Sequence, residues 1–294
     1  MSKIAFMGLG QMGRPMAKNL SAAFTDRVVG FDVCADCRQQ AVAYGLRVED
    51  SAGLAAQDAD IVVLALPAAP QVSDALDAVL PVMVPGGLVI DCSTIDPQSA
   101  RVFAKKAMDS RDAYVDSPMS GGIAGAAQGK LTFMVGGDEA DFQRATPYLK
   151  AMGANIFHAG RAGAGAAAKL CNNMLLAISM IGVSEAIAMA EKLGLSAQRF
   201  YDISSTATGR CWSLNDYCPA PGPVPTAPSN NDYKPGFSVA LMLKDLRLAQ
   251  EAAQDAGAVT PLGAHATQLY ALLAAAGNDG LDFSAMIKMM NGEK

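Results

Sequence analysis

Ile4-Ala5-Phe6-Met7-Gly8-Leu9-Gly10-Gln11-Met12-Gly13 is the stretch that decides the fold. Four apolar residues run straight into a Gly-x-Gly-x-x-Gly turn, and Met16, Ala17 and Leu20 follow at helical spacing. Strand, glycine turn and helix in that order make a phosphate cradle. Gly8 permits the tight turn, Gly10 lets a pyrophosphate approach the backbone, and Gly13 lets helix and strand pack closely. The helix N-terminus, with Leu9, Gln11 and Met12 in the turn before it, attracts the phosphate charge. Taken alone, the pattern also suits a tight turn with no ligand.

The residues that follow extend the pattern. Residues 28–32 read as a second strand ending in Asp32, about 20 residues after the glycines, where a carboxylate accepts bonds from the adenosine ribose. That carboxylate would repel a 2′-phosphate, which favours NAD over NADP; the alternative is that Asp32 caps the next turn. Residues 61–65 form a third apolar run, stopped by Pro67 and Pro70, so Leu66 and Pro67 stand at a strand's C-terminal end, where ligands gather in open α/β sheets. Residues 88–91 lead to Ser93 and Thr94. Thr94 is placed to bond the nicotinamide side of a cofactor, and either residue is also a candidate cap for a helix beginning near Asp96-Pro97. A strand at 114–116 leads to Ser120-Gly121-Gly122, whose backbone N–H groups and hydroxyl suit a substrate carboxylate, or else form a flexible turn. Short strands are expected at 131–135 and 155–157. The whole reads as an α/β Rossmann-type dinucleotide-binding domain over residues 1–163.

Beyond Gly165 the alternation stops. A glycine-rich turn opens a long apolar helix to Lys192 that carries Lys169 and, four residues on, Asn173 on the same face. Burial disfavours an ammonium, so a lysine held there has a lowered pKa and trades protons near neutrality; the plainer reading is a lysine snorkelling from a core helix. The helix is apolar nearly all round, so most of it is expected to be buried, part of it against a second subunit. Ser196 caps a further helix. The proline-rich segment 212–236, with Trp212 and Tyr233, reads as a long structured loop without helix. Phe237 leads into a helix with Lys244 near its first turn, where a cation opposes the helix dipole; this marks a functional lysine or a salt-bridged surface one. Residues 164–294 are therefore expected to form an all-α substrate and dimerisation domain with a long first helix.

Composition excludes other classes. The 294 residues suit two domains at roughly 150 residues each. A net charge of −5 without a basic block argues against nucleic acid or an anionic membrane as partner. The uncharged stretch 170–184 is too short to span a bilayer. Cys34 and Cys37 form a Cys-x-x-Cys, yet no second pair or nearby histidine completes a zinc site, and no metal is expected. The six cysteines read as reduced thiols. The two histidines, His158 and His265, are too scattered for a hydrolase triad. Lys3 runs at once into a strand rather than a targeting segment, so a cytoplasmic protein is expected.

Four blocks together resemble the β-hydroxyacid dehydrogenases: residues 8–20, residues 116–131, residues 163–173, and residues 237–249 with Lys244-Asp245-Leu246. The resemblance implies NAD as cofactor, Lys169 as catalytic lysine with Asn173 supporting it, and Ser120, Gly121 and Gly122 on the substrate carboxylate. Asn172, Trp212, Phe237 and Asp245 would lie near the substrate, and Thr94 and Lys244 against the cofactor. The segment Gly209-Arg210-Cys211-Trp212-Ser213 with the proline loop resembles members that oxidise 3-hydroxyisobutyrate to methylmalonate semialdehyde in valine catabolism. Members acting on tartronate semialdehyde or glyoxylate lack that loop. Two departures, Met119 for a common valine and Lys130 for threonine or asparagine, remove no functional group. The resemblance implies a small 3-hydroxy acid substrate, and the apolar central helix points to self-association as a homodimer or homotetramer. The competing readings are a tartronate semialdehyde or glyoxylate-type reductase of the same family and a non-catalytic dinucleotide-binding interaction protein.

Overall fold

The structure, a computed structural model, describes residues 2–25 and 27–293; the outer ends of the two expected domains, residues 1 and 294, lie outside the described residues. The chain divides into two compact units, Met1–Lys169 and Leu170–Lys294.

The first unit is an α/β Rossmann-type domain. Its strands are β1 (Ile4–Met7), β2 (Val28–Phe31), β3 (Arg47–Val48), β4 (Ile61–Leu64), β5 (Leu88–Asp91), β6 (Ala113–Asp116), β7 (Met119–Ser120), β8 (Leu131–Gly136) and β9 (Gly153–Gly160). They form one sheet in the order β3-β2-β1-β4-β5-β6-β8-β7, with β9 also pairing β8. The run from β3 to β6 is parallel, while β8 is antiparallel to β6 and β7. Helices α1 (Gly13–Ala23), α2 (Ala35–Ala43), α3 (Ala52–Ala56), α4 (Ala69–Val79), α5 (Pro97–Asp109), α6 (Gly122–Ala127) and α7 (Glu139–Met152) connect the strands.

Side-chain alternation explains why the sheet is covered on both faces. Ile4 and Phe6 join Met16, Leu20, Val63 and Ile90 in one core cluster, whereas Ala5 and Met7 join Val62, Leu64, Val72 and Leu76 in another. A strand apolar at every position stays dry only with a layer on each side. Each large side chain so buried contributes roughly 1.5–3 kcal/mol. Two-residue strands such as β3 and β7 leave no periodic signal and were not expected. The helix near Asp96-Pro97 is α5, but its cap is Asp96, whose carboxylate accepts from Ser99 N at 2.8 Å, rather than Ser93 or Thr94. The Ser93 hydroxyl instead accepts from Leu66 N at 3.0 Å.

Helix α8 (Ala164–Lys192) begins in the first unit and continues into the second. The second unit is helical: α9 (Ala197–Ser204), α10 (Trp212–Asn215), α11 (Val239–Asp255), α12 (Pro261–Leu273) and α13 (Met286–Asn291). Ser196 caps α9 by accepting from Arg199 N. Three sequence expectations need correction. The proline segment is not free of helix: α10 precedes its first proline, Pro219, and a 3₁₀ turn spans Pro228–Asn230. Helix α11 starts at Val239 with Ser238 as cap, so Lys244 lies in its second turn, away from the strongest dipole field. By length and composition α8 is apolar enough to cross a membrane, contrary to the reading of residues 170–184 alone, and within the single chain less than half of its most apolar window is buried, with Leu175 and Met189 exposed. Its inward residues nevertheless pack as a core helix does: Ala177, Met180 and Ile181 against Val239, Met242 and Tyr270, and Ile187 against Leu214 and Ile287.

Candidate active site

Gly8 adopts φ +96° and donates its N–H to Phe31 O, closing the turn between β1 and β2. A Cβ there would overlap Ala65 O, and one on Gly13 would overlap Gly8 O, so both positions exclude a side chain by contact with backbone. Gly10 differs: nothing lies within 4 Å of the place its Cβ would take. The first turn of α1 has no side-chain cap and no acidic residue. Open space over Gly10 and uncapped N–H groups fit a dinucleotide pyrophosphate. Leu9 is buried, Met12 packs at the core edge, and Gln11 is exposed.

Asp32 follows β2. One carboxylate oxygen accepts from Leu9 N at 2.6 Å and the other from Cys34 N at 2.8 Å. It therefore caps its own turn and braces the glycine loop, and each oxygen keeps a lone pair for a further donor. Leu66 and Pro67 follow β4, Thr94 follows β5, and Ser120 and Gly121 follow β6. Because the strands from β2 to β6 are parallel, all of these positions lie along the carboxyl edge of the sheet. Gly121 and Gly122 have φ +131° and +62°, and α6 begins at Gly122 without a side-chain cap, so the expected Ser-Gly-Gly loop is a two-residue strand turned into a short helix.

Sequence reasoning gave Asp116 no role, yet it carries the geometry of the site. Its carboxylate is 1% exposed and accepts from Gly163 N at 2.7 Å and Ala166 N at 2.8 Å. The start of α8 is thereby fixed to the end of β6. The approach is close enough that a Cβ on Gly165 would lie 2.6 Å from Asp116 O, and one on Gly136 would lie 2.7 Å from Gly165 N. Burial pushes the Asp116 carboxyl above its ordinary range, against the lowering effect of the two N–H bonds. Lys169 sits on this docked helix and is 7% exposed. Beside Asp116 in the β5–β6 register is Asp91, also buried, which accepts from Ser93 N and the Tyr114 hydroxyl. Desolvation, which outweighs those two bonds, pushes it up to about 6.

Within the second unit four of the proposed residues form one chain of contacts. Asn172 Nδ2 donates to Asn173 Oδ1 at 3.0 Å, Asn173 Nδ2 donates to Asp245 Oδ2 at 2.6 Å, and Lys244 Nζ lies 3.5 Å from Asp245 Oδ1. Asn173 and Asp245 are each 2% exposed, whereas Asn172 is exposed. Trp212 stacks on Tyr217, Tyr217 on Phe283, and Phe237 meets Phe283 edge-on. Buried Asp282 ties this group together by accepting from the Tyr217 hydroxyl and from the N–H groups of Gly236 and Phe237. Sequence reading missed it too, since its partners lie as many as 65 positions away. Among the described residues no group of three His, Cys, Asp or Glu is placed to hold a metal.

A glycine turn on a largely parallel sheet, followed by a helical unit, is an architecture found in nicotinamide-dinucleotide oxidoreductases. Residues 3–160 match the NAD binding domain of 6-phosphogluconate dehydrogenase, and residues 163–290 match the NAD-binding region of NADP-dependent 3-hydroxyisobutyrate dehydrogenase. A probable 3-hydroxyisobutyrate dehydrogenase of Mycobacterium tuberculosis is 50% identical, over 98% of this chain and 97% of its own length. An NAD-dependent L-serine dehydrogenase of Pseudomonas aeruginosa is 46% identical, over 99% and 98%. A solved structure of the M. tuberculosis 3-hydroxyisobutyrate dehydrogenase with L-serine superposes with a TM-score of 0.93 at 49% identity, covering 99% of each chain. The chain belongs to the 3-hydroxyisobutyrate dehydrogenase family and is an NAD(P)-dependent hydroxyacid dehydrogenase.

Proposed function

We propose that this protein oxidises 3-hydroxyisobutyrate to methylmalonate semialdehyde, a step of valine breakdown, with NAD as acceptor and Lys169 as general base. One observation carries the reading: Lys169 is buried on a helix whose start is fixed by Asp116 to the ligand edge of the sheet. Burial favours the neutral amine. Lys169 then takes the proton of the C3 hydroxyl as the carbinol carbon becomes an aldehyde. The nicotinamide, when bound, supplies the hydride acceptor.

Ser120, Gly121 and Gly122 hold the substrate carboxylate. Asn173, held by Asp245 and Asn172, supports the substrate, with Trp212 and Phe237 as its apolar surroundings. The cradle at residues 8–13 holds the pyrophosphate, Asp32 holds the adenosine ribose and disfavours a 2′-phosphate, and Leu66, Pro67, Thr94 and Lys244 complete the cofactor contacts. The exposed apolar residues Leu175 and Met189 of α8 support self-association, and six free cysteines accord with a cytoplasmic setting.

A second reading is L-serine as substrate, favoured by the 46% identical L-serine dehydrogenase. Both compounds carry a carboxylate two bonds from a primary carbinol, and they differ in a methyl or an ammonium at C2. Steady-state oxidation of 3-hydroxyisobutyrate and L-serine with NAD and with NADP, and reduction of glyoxylate with NADH and with NADPH, tests the proposal. The highest kcat/KM is expected for 3-hydroxyisobutyrate with NAD. A higher value for L-serine would replace the substrate assignment, and preference for NADP would remove the role given to Asp32.

A further inference from the structure

The Cys34-x-x-Cys37 pair has no part in the chemistry above. It occupies the start of the nine-residue helix α2, directly after Asp32. Cys34 is the N-cap: its Sγ accepts from Cys37 N at 3.4 Å. Cys34 is exposed and Cys37 partly buried. The Cys37 thiol and N–H hold the Cys34 thiol below its ordinary range, and the helix N-terminus acts in the same direction. Cys37 is pushed up to about 11, first by its bond to Cys34 and then by burial. Asp32 disfavours both thiolates, and Arg14 favours that of Cys37. An exposed, acidified cysteine capping a helix, with a less acidic partner one turn on, is the arrangement of a reactive dithiol. The other cysteines have no neighbour at this spacing.

We propose that Cys34 and Cys37 are a reversible redox modification site through which low-molecular-weight disulfides such as oxidised glutathione weaken cofactor binding. The coupling rests on the reading of Asp32 as a cofactor contact. Cys34 N donates to Asp32 Oδ1, and the other Asp32 oxygen accepts from Leu9 N of the phosphate turn. Drawing Cys34 Sγ toward Cys37 therefore pulls on the carboxylate that braces the cradle. In the reaction the Cys34 thiolate attacks one sulfur of oxidised glutathione and expels one glutathione thiolate. The Cys37 thiol loses its proton and attacks Cys34 Sγ, expelling the second. One dithiol is oxidised, one glutathione disulfide is reduced, and the two thiol protons pass to the two leaving thiolates.

The full-length protein is equilibrated with glutathione at stepped oxidised-to-reduced ratios, then examined by intact mass, peptide mapping and NAD titration calorimetry. Wild type is expected to lose two hydrogens, with the bond mapped to Cys34–Cys37. Its NAD affinity should fall roughly fivefold, the equivalent of one neutral hydrogen bond, and recover with dithiothreitol. Cys37→Ser should stop at a glutathione adduct on Cys34, and Cys34→Ser should not react at that turn. Reduced protein that binds NAD but yields no Cys34–Cys37 bond, or a bond with unchanged NAD affinity, overturns the proposal alone. Reduced protein that does not bind NAD overturns the cofactor reading and this proposal with it.

Discussion

Two helices of the first unit start at the same edge of the sheet and are finished in opposite ways. Helix α1 opens after Gly10 with empty space above it, no cap and no acid in its first turn. Helix α8 opens on a buried carboxylate, Asp116, which takes two of its free N–H groups. A helix N-terminus attracts negative charge wherever it comes from. The protein supplies that charge itself at α8, fixing the start of the helix that carries Lys169, and supplies none at α1, where the proposed phosphate would bring it. On the function proposed above, the same electrostatics gives a scaffold in one case and a binding site in the other.

The contrast can be broken most severely by giving α1 an acid of its own. Gly10→Asp is expected to weaken NAD binding by roughly 100-fold or more, since a fixed carboxylate displaces charge-assisted bonds of about 1.5–3 kcal/mol each. Its melting temperature should hardly move, because the site is open. Calorimetric titration showing unchanged affinity would mean that the phosphate does not sit there.

Removing the acid at α8 is the reciprocal change. Asp116→Asn keeps the shape but loses the charge and one acceptor. It should cost about 1–2 kcal/mol in urea unfolding, as the loss of a helix cap does. It should lower kcat roughly ten- to hundredfold through a displaced Lys169 while leaving the KM for NAD unchanged. A fall in kcat accompanied by a rise in the KM for NAD would indicate general loss of structure rather than misplacement of the lysine.

The smallest effect sharpens the comparison from the neighbouring strand. Asp91 makes bonds similar in number to those of Asp116 but holds no helix, and burial dominates its titration. Its folded value of about 6 lies above the ordinary 3.8, so the folded state binds the proton more tightly. Its contribution therefore favours folding fully below the ordinary value and is lost as pH rises to about 6. Wild-type stability relative to Asp91→Asn should decline between about pH 4 and 6 and level off above. Urea midpoints whose difference stays flat across that interval would contradict the burial effect.

The difference between the two helix starts also explains what could be read in advance. The glycine turn at residues 8–13 is local: a strand, three glycines and a helical stripe lie within twenty positions, and the α/β class follows from them. Lys169 and Asn173 were legible for the same reason, since four residues on one helix fix a shared face. Asp116 was not legible as a cap because the N–H groups it accepts lie 47 and 50 positions further along the chain. Asp282 is hidden in the same way, gathering Tyr217 and Gly236 of the proline-rich segment and Phe237 just after it from 45 to 65 positions away. Lys244 was misplaced by one turn because Ser238, an unremarked serine, starts α11 two residues before the apolar pattern becomes clear.

The role of Lys169 is tested most directly by Lys169→Ala in pre-steady-state turnover of 3-hydroxyisobutyrate, with NAD affinity measured on the same sample. The rate of NADH formation should fall by roughly 10²–10⁴ while NAD binding persists. The wild-type pH profile should show a group well below the ordinary lysine value of about 10.4. A variant that forms NADH at the wild-type rate would show that the proton leaves by another route.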